Sequence, residues 1–184
     1  MITPEQLLRP RSAESGSTLD RPLEHLTACH RRIEQRLETL ERVAGHLEAR
    51  HGEALEAMES CFRFFESNGV LHTTDEEESL FPRLQPGLSD EERTFIAGLE
   101  SQHREADQLY TELKAIAVRL RGGQPVTAEL HELYRATAAR LSELYRSQIA
   151  AEDETLIALG ERDLSDSQLV EISTEMKRRR ALPA

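Results

Sequence analysis

Residues 71–84 read LHTTDEEESLFPRL. Steps of three and four from the apolar residues before them put His72 and Glu76 on the face that a packed helix turns inward. Leu55, Met58, Phe62, Phe65 and Gly69 walk that same face upstream. A helix that aims an imidazole and a carboxylate, one turn apart, at its own interior needs compensating groups to meet them there.

Composition says which elements supply those groups. The chain has 184 residues, no Trp, 9 Gly and 7 Pro. Its long runs are rich in Leu, Glu, Arg and Ala, and none alternates like a strand, so an all-α fold is predicted. The length suits one domain with a substantial core. A formal charge of -11 disfavours nucleic acid as a partner. The one basic cluster, Lys177 to Arg180, reads as the solvated end of a helix, where cations suit the dipole. No signal peptide or bilayer-crossing segment is apparent, so a cytoplasmic protein without membrane contact is expected. Cys29 and Cys61 are too few for a disulfide framework and read as small buried apolar groups.

Turn signals divide the chain into helices. Residues 1–18 are polar, with Pro and Ser, and read as a flexible arm ahead of a bundle over 19–184. Asp20 with Pro22 marks the start of a first helix, and His51-Gly52 separates it from a second. Pro86-Gly87 ends the second, Ser89 with Glu92 makes a capping box for the third, and Gly122 to Pro125 breaks the third from the fourth. The fourth runs from about Thr127 to Gly160. Ser165 or Asp166 caps a shorter fifth. The expected architecture is an antiparallel up-and-down four-helix bundle with an additional short C-terminal helix.

The other helices carry comparable stripes. The first presents Leu23, Leu26, His30, Ile33, Leu37, Leu40, Ala44 and Leu47. The third presents Ile96, Leu99, His103, Ala106, Tyr110, Leu113, Ala117 and Leu120. The fourth presents Leu130, Tyr134, Thr137, Leu141, Leu144, Gln148, Glu152 and Leu156. Each is apolar but for one interruption, and the interruptions are His30, His72 with Glu76, His103, and Gln148 with Glu152.

In an antiparallel bundle, residues equidistant from a turn lie side by side. His30 and His72 are each 21 residues from His51, and His72 and His103 flank Pro86-Gly87 about equally. His103 lies 21 residues before Gln124 and Gln148 lies 24 after it, which agrees once the loop is allowed for. With about 1.5 Å of rise per residue, the polar positions share one level. Burying two carboxylates uncompensated would cost several kcal/mol each. A divalent or trivalent cation neutralises them, and imidazole with carboxylate oxygen suits iron or manganese. A hydrogen-bonded polar layer without a metal is the alternative.

These residues resemble the hemerythrin-like, or HHE cation-binding, family. The carriers are ACHRRIEQRLETL around His30, HTTDEEESLFPRL around His72, LESQHREADQLYTEL around His103 and SQIAAEDETLIALGERDL around Glu152. The likeness spans about Arg21 to Arg180. H-x-x-x-E followed by LFP is its most specific part, and that spacing differs from the E-x-x-H of ferritin-like proteins. The resemblance implies a non-haem di-iron centre with His30 and His72 on one iron, His103 on the other, and Glu76 and Glu152 bridging. The sixth ligand position falls on Gln148, whose amide oxygen is a poorer donor than imidazole, so one metal position is better supplied than the second. Asp107, four residues after His103, is either a substitute oxygen ligand or a surface carboxylate. His25, His46, His51 and His131 match no ligand of the family and are read as exposed.

The resemblance further implies binding or sensing of dioxygen or nitric oxide, or of redox or iron status. Leu26, Ile33, Phe65, Leu99, Leu144 and Leu156 stand on the stripes to form an apolar sleeve. No nucleophile–base pair or phosphate-binding loop is visible. Two alternatives are an oxidoreductase with weak peroxidase or nitric-oxide-consuming activity at the same site, and a metal-free helical interaction module.

Overall fold

Pro22 has no amide hydrogen to leave unpaired and its φ is preset for a helix, so it suits the first turn of α1 (Pro22–Ala44). No side chain caps this helix. Asp20 lies instead in a short 3-10 turn, Thr18–Asp20, where it pairs with Lys177. These features come from a computed structural model that describes residues 18–122 and 126–181. Nearly all of the expected N-terminal arm and the centre of the Gly122 to Pro125 break lie outside the described residues.

The second rod, residues 51–84, is helical throughout but not uniform. It consists of α2 (His51–Phe64), a π turn (Phe65–Gly69), α3 (Val70–Thr74), a second π turn (Asp75–Leu80) and α4 (Phe81–Leu84). α5 (Asp90–Arg121) begins at the predicted capping box. Ser89 Oγ accepts from the Glu92 amide at 3.2 Å, and Glu92 Oε2 accepts from the Ser89 amide at 2.7 Å. The fourth rod joins α6 (Ala128–Ala151), a third π turn (Glu152–Leu156) and α7 (Ile157–Asp163), with Thr127 capping its start. Ser165 caps α8 (Asp166–Ala181), the expected fifth helix.

The second and third π turns have a cause in the spacing of buried residues. His72, Glu76, Leu80 and Leu84 are all buried and recur every four residues, as do Gln148, Glu152, Leu156 and Gly160. In an α-helix each step of four drifts by about 40°, so three such steps would swing a stripe off the core. Widening one turn absorbs the drift and keeps all four positions inward.

Among the described residues every regular element is helical. α1 packs on α2 and on α6, and α5 packs on the same two. Two apolar clusters fill the interior. The larger contains Ile33, Phe65, Ala106 and Ile149, and the smaller contains Leu26, Leu80, Leu99 and Leu156. Along every rod the polar interruption falls between a member of one cluster and a member of the other, so a single polar layer divides the core.

α8 lies against α1, the Thr18–Asp20 turn and the second π turn, and Ile172 and Met176 join the smaller cluster. This packing corrects two expectations. The Lys177 to Arg180 cluster is not simply solvated: Arg179 and Arg180 both bind the fully buried Asp75. His25 is buried rather than exposed, with Nδ1 3.0 Å from Thr18 Oγ1, because the elements before α1 and after α7 cover a face that points away from the bundle interior. His51 and His131 are half-buried where rods meet, His131 Nε2 donating to the Ala44 carbonyl at 2.7 Å. His46 is exposed as expected. No described helix is long and apolar enough to cross a membrane.

Candidate metal centre

α1, the second rod, α5 and the fourth rod bring His30, His72, Glu76, His103, Gln148 and Glu152 to one buried level. His30 Nε2 lies 3.1 Å from Glu152 Oε2 and 3.9 Å from Glu76 Oε1. His72 Nε2 lies 3.6 Å from Glu76 Oε1. From the opposite side, His103 Nε2 stands 3.4 Å from Glu76 Oε2 and 3.6 Å from Glu152 Oε1. Each carboxylate therefore faces imidazoles with both of its oxygens, the disposition of a bridge.

Polar satisfaction decides whether this layer is complete by itself. Both oxygens of Glu76, Oε2 of Glu152, Nε2 of His30 and Nε2 of His103 are buried without a hydrogen-bond partner among the described residues. Buried polar atoms are normally paired, and five orphans facing one another mark a place for a cation. Ligand atoms of His30, His72, Glu76 and Glu152 all lie within 4.8 Å of one another, so this set could hold a metal ion. His103 stands outside that set.

The outer nitrogens of two imidazoles are held by carboxylates that sequence reasoning missed. His30 Nδ1 donates to Asp153 Oδ1 at 2.6 Å, and Arg31 pairs with the same carboxylate. His103 Nδ1 donates to Glu77 Oε1 at 2.7 Å. A proton fixed on Nδ1 leaves the Nε2 lone pair aimed inward, as a metal ligand requires. Glu77 and Asp153 each directly follow an interior Glu, so the doublets Glu76-Glu77 and Glu152-Asp153 were the available signal.

Charge in the layer is balanced by protons when no cation is bound. Burial by itself would pull His30 down, but the close carboxylates of Glu152 and Glu76 outweigh it and lift the ring to about 10. His103 reaches about 10 for the same reason. Burial pushes Glu76 up, yet the charge of His72 and the nearby rings of His103 and His30 hold it far below the usual carboxylate range. A metal ion would displace imidazole protons in taking these ligands.

Cys29 departs from the expected apolar role. Its Sγ lies 3.5 Å from His25 Nε2 and accepts from Arg32 at 3.1 Å. Burial raises the thiol, but interactions with His25 and His72 outweigh it and bring it to about 5. Cys61 is the plain case, pushed up to about 11 by burial.

Asp107 is exposed and lines a cavity of ≈ 280 Å³ together with Glu77, Tyr110 and Tyr145. It is not among the groups gathered around the ion position. The expected sleeve forms from Leu26, Ile33, Phe65, Leu99 and Leu156, all buried, with Leu144 half-buried.

A family model for the hemerythrin HHE cation-binding domain matches residues 21–159. The chain belongs to the hemerythrin HHE family. Among curated proteins none matches it. The hemerythrin match covers all six interior polar residues and stops before α8, which is shorter than the span to Arg180 expected from the likeness.

Proposed function

We propose that this hemerythrin-family protein holds non-haem iron in the buried layer and uses it to bind or sense dioxygen or nitric oxide. Its rods would form an antiparallel up-and-down bundle, with each rod packed on the two that a cyclic arrangement requires. The observation that carries the reading is the set of orphaned, mutually facing imidazole and carboxylate atoms, a hard-to-intermediate donor set suited to iron. His30, His72, Glu76 and Glu152 would hold the first ion. His103, with the bridging carboxylates, offers an incomplete second position beside Gln148.

Bound iron would supply a one-electron couple and an open coordination position. The protein's own groups do the rest. Asp153 and Glu77 orient the imidazoles, and the apolar clusters on either side exclude water from the layer. The free thiols Cys29 and Cys61 suit a cytoplasmic setting.

Elemental analysis of protein produced with iron present tests the reading. At least one iron per chain is expected, with a visible spectrum that changes when the ferrous protein meets dioxygen or nitric oxide. Protein that carries no iron after reconstitution refutes the assignment. Iron without any gas-dependent spectral change refutes the sensing role alone.

A further inference from the structure

Asp75 and Glu76 are consecutive, fully buried carboxylates that face opposite ways. Glu76 points into the polar layer, whereas Asp75 points to α8, a helix outside the family match. Arg179 donates to Asp75 Oδ1 at 2.8 Å and Arg180 donates to Oδ2 at 2.7 Å. A second nitrogen of Arg179 donates to Ser79 Oγ at 2.7 Å. Ser79 in turn donates to Glu175 Oε2 at 2.5 Å, and Arg83 holds the same Glu175 carboxylate. α8 thus grips the second π turn at residues 75 and 79, on either side of Glu76.

We infer that Arg179 and Arg180 are positioning residues for the metal centre, acting through Asp75 to hold the π turn that presents Glu76. The inference rests on the metal reading above. A π turn lacks the regular hydrogen bonding of an α turn and persists where something else stabilises it. Here the stabiliser is a desolvated carboxylate with two guanidinium partners. Stripped of them, Asp75 would be an unpaired buried charge, and turning it towards water would rotate the neighbouring Glu76 away from His72 and His103.

The test compares wild type with R179Q/R180Q, using iron(II) and cobalt(II) as probes in competition with a chelator. Metal affinity should fall by about tenfold or more, the visible spectrum of the cobalt form should change, and amides of residues 75–80 should exchange faster in the metal-free protein. Leu113→Ala serves as the stability control, since it lies ten residues beyond His103 on α5, roughly 15 Å along the axis. It should lower the melting temperature while leaving affinity and spectrum unchanged.

Wild-type affinity and spectrum in R179Q/R180Q overturn the inference, and so does an equal loss of affinity in Leu113→Ala. If the double variant does not fold, Asp75→Asn carries the same expectations, because it removes the charge and keeps the shape. Wild type that takes up neither metal refutes the metal reading instead. In that case the exchange rates of residues 75–80 still decide whether α8 holds the turn.

Discussion

The Gln148 amide nitrogen donates to Glu152 Oε1 at 2.8 Å, engaging the same oxygen that faces His103 Nε2 at 3.6 Å. An amide in this place occupies a lone pair of the Glu152 carboxylate and offers only a weak oxygen donor of its own. Gln148→His replaces it with an imidazole one turn before Glu152. Bound iron should rise from about one towards two per chain, as read by metal-to-protein ratio. An unchanged ratio would show that the second position is closed for some other reason.

Metal removal should destabilise the protein. A ligand bound by the folded state alone, at about 100 times its Kd, contributes about 2.7 kcal/mol. For a chain of this size that corresponds to a melting temperature lower by about 5–10 °C after chelation. Calorimetry with and without chelator checks it, and His72→Ala should show no such difference.

Asp153→Asn and Glu77→Gln remove the carboxylates behind His30 and His103 without touching the bundle core. Loss of such outer partners costs about 10- to 100-fold in metal affinity. In the Gln148→His background Asp153→Asn should weaken the first ion and Glu77→Gln the second, so the two variants differ in which population is lost on titration with a competing chelator. Identical titration curves for both variants would contradict separate positions.

Away from the centre, Glu92 gives a pH dependence of known sign. Arg162 and the Ser89 amide bring its carboxyl down from 4.5 to about 2. A carboxyl depressed in the folded state contributes stability that is present above its unfolded value and lost as pH falls through the folded one. Glu92→Gln should therefore be less stable than wild type at pH 7, and the difference should shrink between about pH 4.5 and pH 2. Urea unfolding at both ends of that window measures it.

The convergence of the polar layer was legible because bundle stripes are periodic and each broke only once. His30, His103 and Glu152 could be placed from spacing and turn positions alone. What escaped were features set by elements that lie outside that periodicity. His25 looked exposed because only the interior of four helices was considered, whereas α8 and the Thr18–Asp20 turn bury its far side. Arg179 and Arg180 looked solvated because Asp75, their partner, is more than a hundred residues away in sequence. Glu77 and Asp153 stand on none of the apolar stripes, so spacing gave no reason to single them out. Consecutive helix residues point about 100° apart, so each lies beside its stripe and meets the imidazole of a neighbouring rod.

The wide turns also make the two rods that carry them intolerant of added residues. Dropping one residue within 77–79 would let the second π turn relax to an α turn with the residues beyond it still facing the core, whereas adding one would spin everything beyond it by about 100° relative to His72. After such an insertion Leu80, Phe81 and Leu84 would leave the core together. Gene variants with an in-frame insertion at this spot should accumulate as misfolded chains, while insertions at residues 48–50, exposed between the first two rods, should yield normal amounts of protein.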